Sequence, residues 1–335
     1  MKNIELPRKV LVGEDAVYEV DETVEEIGLK GVPLILCDET TLRIAGEIVS
    51  EELDAPVTVV EGLKDSELKS LERKVTSEKI RYVVGVGGGR ILDAGKVIAF
   101  ESKVPFVAVP TAASHDGIAS PQASLKSAKP VSVQVHCPLA VVADTKIISK
   151  APRRLLAAGC GDAISNYTAV LDWRLAHEKK GEYFGDYAAA LSAMSAEIII
   201  ENAGKIYGNI SILVEALISS GVAIGIAGSS RPCSGAEHMF SHALDIICEK
   251  PALHGAQCGV GAIITAYLHD ADWTRIRAAL KKCEAPTTAD EMGIPEDKIV
   301  EALTKAHTIR DRYTILGGGL TERKAREAAK ETGVI

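Results

Sequence analysis

Aromatic residues make up only 4% of the 335 residues, so the core must be aliphatic, built from Val, Ile, Leu and Ala. Cysteine is sparse and odd in number: seven residues, none spaced C-x-x-C. That pattern argues against a disulfide framework and a zinc ribbon, and points to reduced thiols in a cytoplasmic protein. With 29 Gly and 13 Pro, the chain is too poor in both for a low-complexity or collagen-like architecture. No apolar run approaches the roughly 18 residues that a membrane helix needs, so no membrane insertion is expected. Met1–Glu5 has no apolar signal core. A net charge of −8 without any block of like charge argues against nucleic-acid binding on a basic face. It leaves room for a local pocket that takes a small anion.

What is present is ordinary for a globular enzyme: 47% hydrophobic and 25% charged residues. The length suits two domains. Short Val- and Ile-rich runs alternate with helical stretches through the first half. Leu34–Cys37, Val57–Val60, Tyr82–Val86, Phe106–Val109 and Ala140–Ala143 each stop at a turn residue, as buried parallel strands do. Leu42–Leu53 and Glu67–Lys79 have helical periodicity between them. This βαβ alternation predicts an α/β, Rossmann-like open parallel-sheet domain over residues 1–150. Beyond Arg153 the Val-rich runs fade. Helices are expected from near Arg153 and over Glu182–Asn202, Ile210–Ile226, Gly235–Cys248, Ala256–Leu268, Ile299–Ile309 and Glu322–Lys330, making residues 151–335 an all-helical domain.

Gly85-Val86-Gly87-Gly88-Gly89 closes the Tyr82 strand and opens a helix. Glycines there admit a phosphate to the backbone amides, and the helix adds its positive end. Arg90 stands where both the dinucleotide G-x-G-x-x-G pattern and a P-loop need Gly, so the turn is neither, though it still suits a pyrophosphate. In the second half Asp162 is an isolated acid. His238 and His242 share a helix face at i, i+4, and His254 stands at another helix entry. One Asp and two His make a three-ligand metal site with positions left open for substrate. Ser234 and Glu237 fit a capping box at the start of the His238 helix. Met239 follows His238, so HExxH is absent and a zincin protease is disfavoured.

Together these segments resemble the glycerol dehydrogenase-like superfamily, which includes iron- or zinc-dependent alcohol dehydrogenases and 3-dehydroquinate synthase. The shared order is the Gly87–Lys96 turn, Pro110-Thr111, and then Asp162, His238 and His254. Pro110–Pro121 and Gly228–His238 carry a closer resemblance, to the archaeal type of sn-glycerol-1-phosphate dehydrogenases. Asn166 stands four residues after Asp162, where the iron alcohol dehydrogenases have a further His, and this favours zinc.

The resemblance implies a dehydroquinate synthase-like fold, with dinucleotide binding in residues 1–150 and metal and substrate binding in 151–335. It implies NAD(H)- or NADP(H)-dependent, reversible interconversion of dihydroxyacetone phosphate and sn-glycerol 1-phosphate, the glycerol backbone of archaeal ether lipids. By motif position Gly87, Gly88, Gly89, Arg90, Ile91, Leu92, Asp93, Thr111, Ala112, Ala113, Ser114 and Ser120 contact the cofactor. Asp162, His238 and His254 hold Zn2+, while Asp116, Asp162 and His242 face the substrate and carry catalysis. Arg231, in the loop before the His238 helix, is expected to meet the phosphate. Asp38, at the end of the first clear strand, suits the adenosine ribose, and Thr40, Thr41 and Arg43 could accept a 2′-phosphate, so the choice between NADH and NADPH stays open. A homo-oligomer is a further expectation. A dehydrogenase of free glycerol or another polyol is the alternative, and a nucleotide-sensing module would need the glycine turn without the metal set.

Overall fold

In the computed structural model, which describes residues 4–126 and 130–335, the Val-rich runs are strands of one sheet. The chain divides into two units, Met1–Pro152 and Arg153–Ile335. The first contains β1 (Lys9–Gly13), α1 (Val20–Glu26), β2 (Pro33–Cys37), α2 (Glu39–Thr41), α3 (Glu47–Glu52), β3 (Val57–Val59) and α4 (Asp65–Ser77). β4 (Tyr82–Gly87), α5 (Gly89–Ser102), β5 (Phe106–Pro110), β6 (Gln122–Lys126), β7 (Pro130–Gln134), β8 (Ala140–Asp144) and α6 (Thr145–Ile148) follow.

Six strands pair in the order β1-β8-β5-β4-β2-β3, all parallel. β6 and β7 form a separate antiparallel hairpin. One face of the sheet packs Ile35, Val84, Val107 and Val142 against Val20, Val24 and Val49. The chain runs from β2 outward to β3 and returns to β4 on the other side of β2. The order therefore reverses between β2 and β4, and a crevice opens beyond their carboxyl ends. The glycine turn and Asp38 both lie there.

The open parallel sheet and the helical second part both match the sequence-based expectation. β1 and the hairpin were not expected. β1 is an edge strand bonded only to β8, with a mixed burial pattern rather than a continuous apolar run. The helix expected over Leu42–Leu53 is broken into α2, a wider π turn at Leu42–Gly46, and α3.

The second unit holds α7 (Arg153–Lys180), α8 (Asp186–Asn202), α9 (Ser211–Ala227), α10 (Ala236–Ile247), α11 (His254–Leu268), α12 (Trp273–Lys282), α13 (Glu296–Lys305) and α14 (Glu322–Glu331). α12 was missed by the periodicity reading, and α13 begins earlier than expected, directly after Pro295. α11 is the central helix, and glycines set its distance from its neighbours. A Cβ on Gly255 would lie 1.9 Å from the Ala158 carbonyl oxygen of α7. One on Gly261 would lie 3.0 Å from the Glu237 backbone of α10. These two close approaches put the start of α11 against the first turns of α7, and the start of α10 against the middle of α11.

Candidate active site

The first unit carries a candidate cofactor region at the end of β4. Gly88 is the N-cap of α5, no side chain caps that helix, and its first turn carries no acid. A Cβ on Gly88 would meet nothing within 4 Å. Exposed first-turn amides, the helix dipole and open space together suit a phosphate. Gly89 differs: its Cβ would lie 1.8 Å from Nε2 of His115, whose ring covers that glycine. His115 is fixed in turn, because its Nδ1 accepts from the Gly117 amide at 2.9 Å.

Lys96 is fully buried and does not face a phosphate. Its ammonium binds Asp93 Oδ1 at 2.9 Å and the carbonyls of Gly117 (2.9 Å) and Gln122. It thereby anchors the segment that carries Asp116 and Ser120 onto α5. Asp93 Oδ2 also accepts from the Ser124 amide. Thr111 donates its amide to the Gly87 carbonyl, which seats the Thr111–Ser114 stretch beside the glycine turn. Ser120 is buried, and its hydroxyl has no hydrogen-bond partner among the described residues. An orphaned hydroxyl and an uncapped helix start in one crevice fit a nucleotide cofactor. Asp116 starts a short 3-10 turn in the same segment. Asp38 caps α2 through the Thr41 amide and hydroxyl, and its other oxygen faces Arg90 at 3.6 Å. The Thr41 hydroxyl is thus already engaged.

In the second unit, the close packing of α7, α10 and α11 brings Asp162, His238 and His254 together. Asp162 Oδ1 lies 3.8 Å from Nε2 of each histidine. The opposite ring nitrogens are both taken up. His238 Nδ1 donates to Glu237 Oε1 at 3.0 Å. Ser241 gives its own proton to Gln257, so the Ser241 oxygen accepts from His254 Nδ1 at 3.0 Å. Both imidazoles therefore present an Nε2 lone pair toward the Asp162 carboxylate, the arrangement that zinc ligands require. Burial alone would raise the Glu237 carboxyl, but the His238 and Gly235 hydrogen bonds outweigh it and hold it below the ordinary range. Cys258 Sγ belongs to the same group, whose donor atoms lie within 4.8 Å of one another. Ser241, Gln257 and Cys258 escaped the sequence reading as site residues, and Glu237 entered it only as a helix cap. The signals were present, with Glu237 adjacent to His238 and Cys258 one turn beyond His254, but only as spacings.

His242 stacks on His254 with ring centroids 5.5 Å apart. It could join His254 and Asp245 in a second donor set, but its Nε2 faces the Arg310 guanidinium at 3.4 Å. A cation there opposes a metal ion, so the Asp162 set is the better site. Burial holds the His242 pKa below its usual value, with Asp245 opposing and Arg310 reinforcing.

Two expectations need correction. Arg231 does not face open space: its guanidinium binds Glu182 and the Tyr313 carbonyl. A buried cation needs neutralising, and Glu182 does this. The Ser234–Glu237 capping box is also absent. Gly235 is the N-cap of α10, with no side-chain cap. Glu237 reaches back to the Gly235 amide, but its other oxygen is held by Thr168.

An open parallel sheet with a glycine turn at its switch point, followed by a helical unit holding one carboxylate and two imidazoles, is similar to the iron-containing alcohol dehydrogenase class. The family described as iron-containing alcohol dehydrogenase matches residues 11–152. Solved structures agree in fold. A probable glycerol dehydrogenase from Sinorhizobium meliloti superposes with a TM-score of 0.81 at 21% identity, covering 99% of this chain and 98% of that one. Glycerol dehydrogenase from Schizosaccharomyces pombe gives 0.82 at 20% identity, covering 99% and 90%. A Methanosarcina mazei protein named glycerol-1-phosphate dehydrogenase (NAD(P)+) is 52% identical over 100% of this chain and 97% of its own length. The chain belongs to the glycerol-1-phosphate dehydrogenase family.

Proposed function

We propose that this chain catalyses the reversible NAD(P)H-dependent reduction of dihydroxyacetone phosphate to sn-glycerol 1-phosphate at a zinc site formed by Asp162, His238 and His254. The observation that carries the reading is the pair of imidazoles whose Nδ1 atoms are held by Glu237 and Ser241, so that both Nε2 atoms converge on Asp162. The relatives' name supports the substrate and the cofactor. The open cradle at Gly88 and the orphaned Ser120 hydroxyl support nucleotide binding by Gly87–Asp93, Thr111–Ser114 and Ser120.

When bound, zinc supplies Lewis acidity to the oxygen at the reacting carbon and the nicotinamide supplies the hydride. The chain's own residues orient and move protons. An arginine has only donors, so Arg310 leaves His242 Nε2 as an acceptor and puts the proton on Nδ1, toward Asp245. With its pKa lowered by burial, His242 is a neutral base near pH 7, and when the Arg310 contact is released its Nε2 can take the alcohol proton in the oxidation direction. In the reduction direction the same nitrogen returns it. Asp116 fixes a substrate hydroxyl in this reading. A cytoplasmic location and a homo-oligomer belong to it too.

The test compares dihydroxyacetone phosphate with free dihydroxyacetone as substrates of the zinc-loaded protein with NADH. A higher kcat/KM for the phosphate ester is expected. A preference for the free ketone would favour a polyol dehydrogenase instead.

A further inference from the structure

Glu182 binds Arg231 directly, whereas a different pair of cations in the second unit has no carboxylate in contact among the described residues. Arg310 and Arg312 follow α13 on a loop. Arg312 binds the Ser230 hydroxyl at 2.9 Å and the Ser234 carbonyl, and Arg310 reaches His242. Among the described residues neither guanidinium forms an ion pair, although both are partly buried. Burial lowers both, and the neighbouring Arg231 and Arg310 help bring Arg312 down to about 10 against the opposing pull of Glu237 and Glu182. A partly desolvated cation without a carboxylate in contact is costly, and three guanidiniums gather in this corner beside the single paired carboxylate of Glu182, so it suits an anion. Both arginines line a cavity of about 570 Å³ together with Lys180, Glu182, Asp311 and Tyr313. Glu182 is bound to Arg231, and Asp311 is exposed.

The position relative to the metal set matters as much as the charge. The Arg310 guanidinium touches His242 at 3.4 Å, and the His242 ring stacks on the metal-site His254. One imidazole thus separates the cationic corner from the metal set, a spacing that suits a short phosphate ester. We infer that Arg310 and Arg312 anchor the phosphate of the substrate, and so determine specificity for a phosphorylated over a free ketone. This inference rests on the function proposed above. Two guanidinium forks match the oxygens of a phosphate dianion, as a pair of point charges would not.

The test measures kcat/KM for dihydroxyacetone phosphate and for dihydroxyacetone in the zinc-loaded wild type, Arg310→Gln, Arg312→Gln and Arg312→Lys, each checked for zinc content and melting temperature. Loss of a charge-assisted contact lowers the ratio of the two values on the order of tenfold to a hundredfold in Arg310→Gln and Arg312→Gln. Arg312→Lys, which keeps the charge but not the fork, falls between. If Arg312→Gln does not fold, Arg310→Gln and Arg312→Lys carry the comparison. An unchanged ratio in Arg310→Gln, or an equal loss on both substrates, overturns the anchor. A wild type that reduces neither ketone contradicts the proposed function instead. The anchor is then read from protection by inorganic phosphate against thermal unfolding: protection of wild type but not Arg310→Gln supports it, and equal protection overturns it.

Discussion

His238 shows how a single side chain is prepared for a metal. Its Nδ1 is held by the neighbouring Glu237, which is itself fixed by the Gly235 amide and the Thr168 hydroxyl. Replacing His238 or His254 by Ala should abolish stoichiometric zinc while leaving the helical unit folded. A variant that retains one zinc per chain would contradict the ligand assignment. Glu237→Gln keeps the shape and removes the charge behind Nδ1. Zinc affinity measured by chelator competition should then fall about 10- to 100-fold, as for other partners of metal-bound histidines. An unchanged affinity would reduce Glu237 to a helix-start contact.

The glycine turn separates cofactor binding from folding at the same scale. A side chain at Gly89 collides with His115, so a Gly89 variant reports on the fold as well as on the ligand. Gly88 faces open space. Gly88→Val should therefore fold normally, keep zinc and lose NADH affinity, as read by fluorescence titration. Unaltered NADH binding would mean that the pyrophosphate does not approach this turn.

At the scale of elements, the metal set depends on how closely α11 lies against α7. Gly255→Ala forces a methyl onto the Ala158 carbonyl and must push the helices apart. A loss of about 1–3 kcal/mol in stability is expected, with weaker zinc binding because Asp162 and His254 separate. Gly208→Ala, with nothing near its Cβ, serves as the neutral comparison. A Gly255→Ala protein with wild-type melting temperature and zinc affinity would show that the crossing is soft. The helices and strands themselves were largely legible: buried parallel strands are continuous apolar runs, and α7, α9 and α11 are long and rich in small apolar residues. β1 was not, because an edge strand paired on one side needs no such run. The capping box fails for a different reason. Glu237 does reach back to the N-cap amide, but the N-cap is Gly235, which has no side chain to complete the box, and Asp172 takes the Ala236 amide from another helix.

For the whole molecule, the three proposed zinc ligands could be picked out from sequence because resemblance aligned Asp162, His238 and His254 with a known order, and the fold brings them together. The phosphate contact could not. Arg231 precedes the His238 helix in the chain and looked apt, whereas Arg310 and Arg312 lie far along the sequence and reach the same corner only through the fold. Ion pairing separates them, since Glu182 binds Arg231 directly while neither Arg310 nor Arg312 has a carboxylate in contact among the described residues. The site as described makes one claim that a single measurement addresses: zinc-loaded protein is given dihydroxyacetone phosphate and NADH or NADPH, and the configuration of the product is determined. Stoichiometric oxidation of the cofactor with formation of sn-glycerol 1-phosphate is the predicted result. Formation of sn-glycerol 3-phosphate, or no net oxidation of either cofactor, would contradict it.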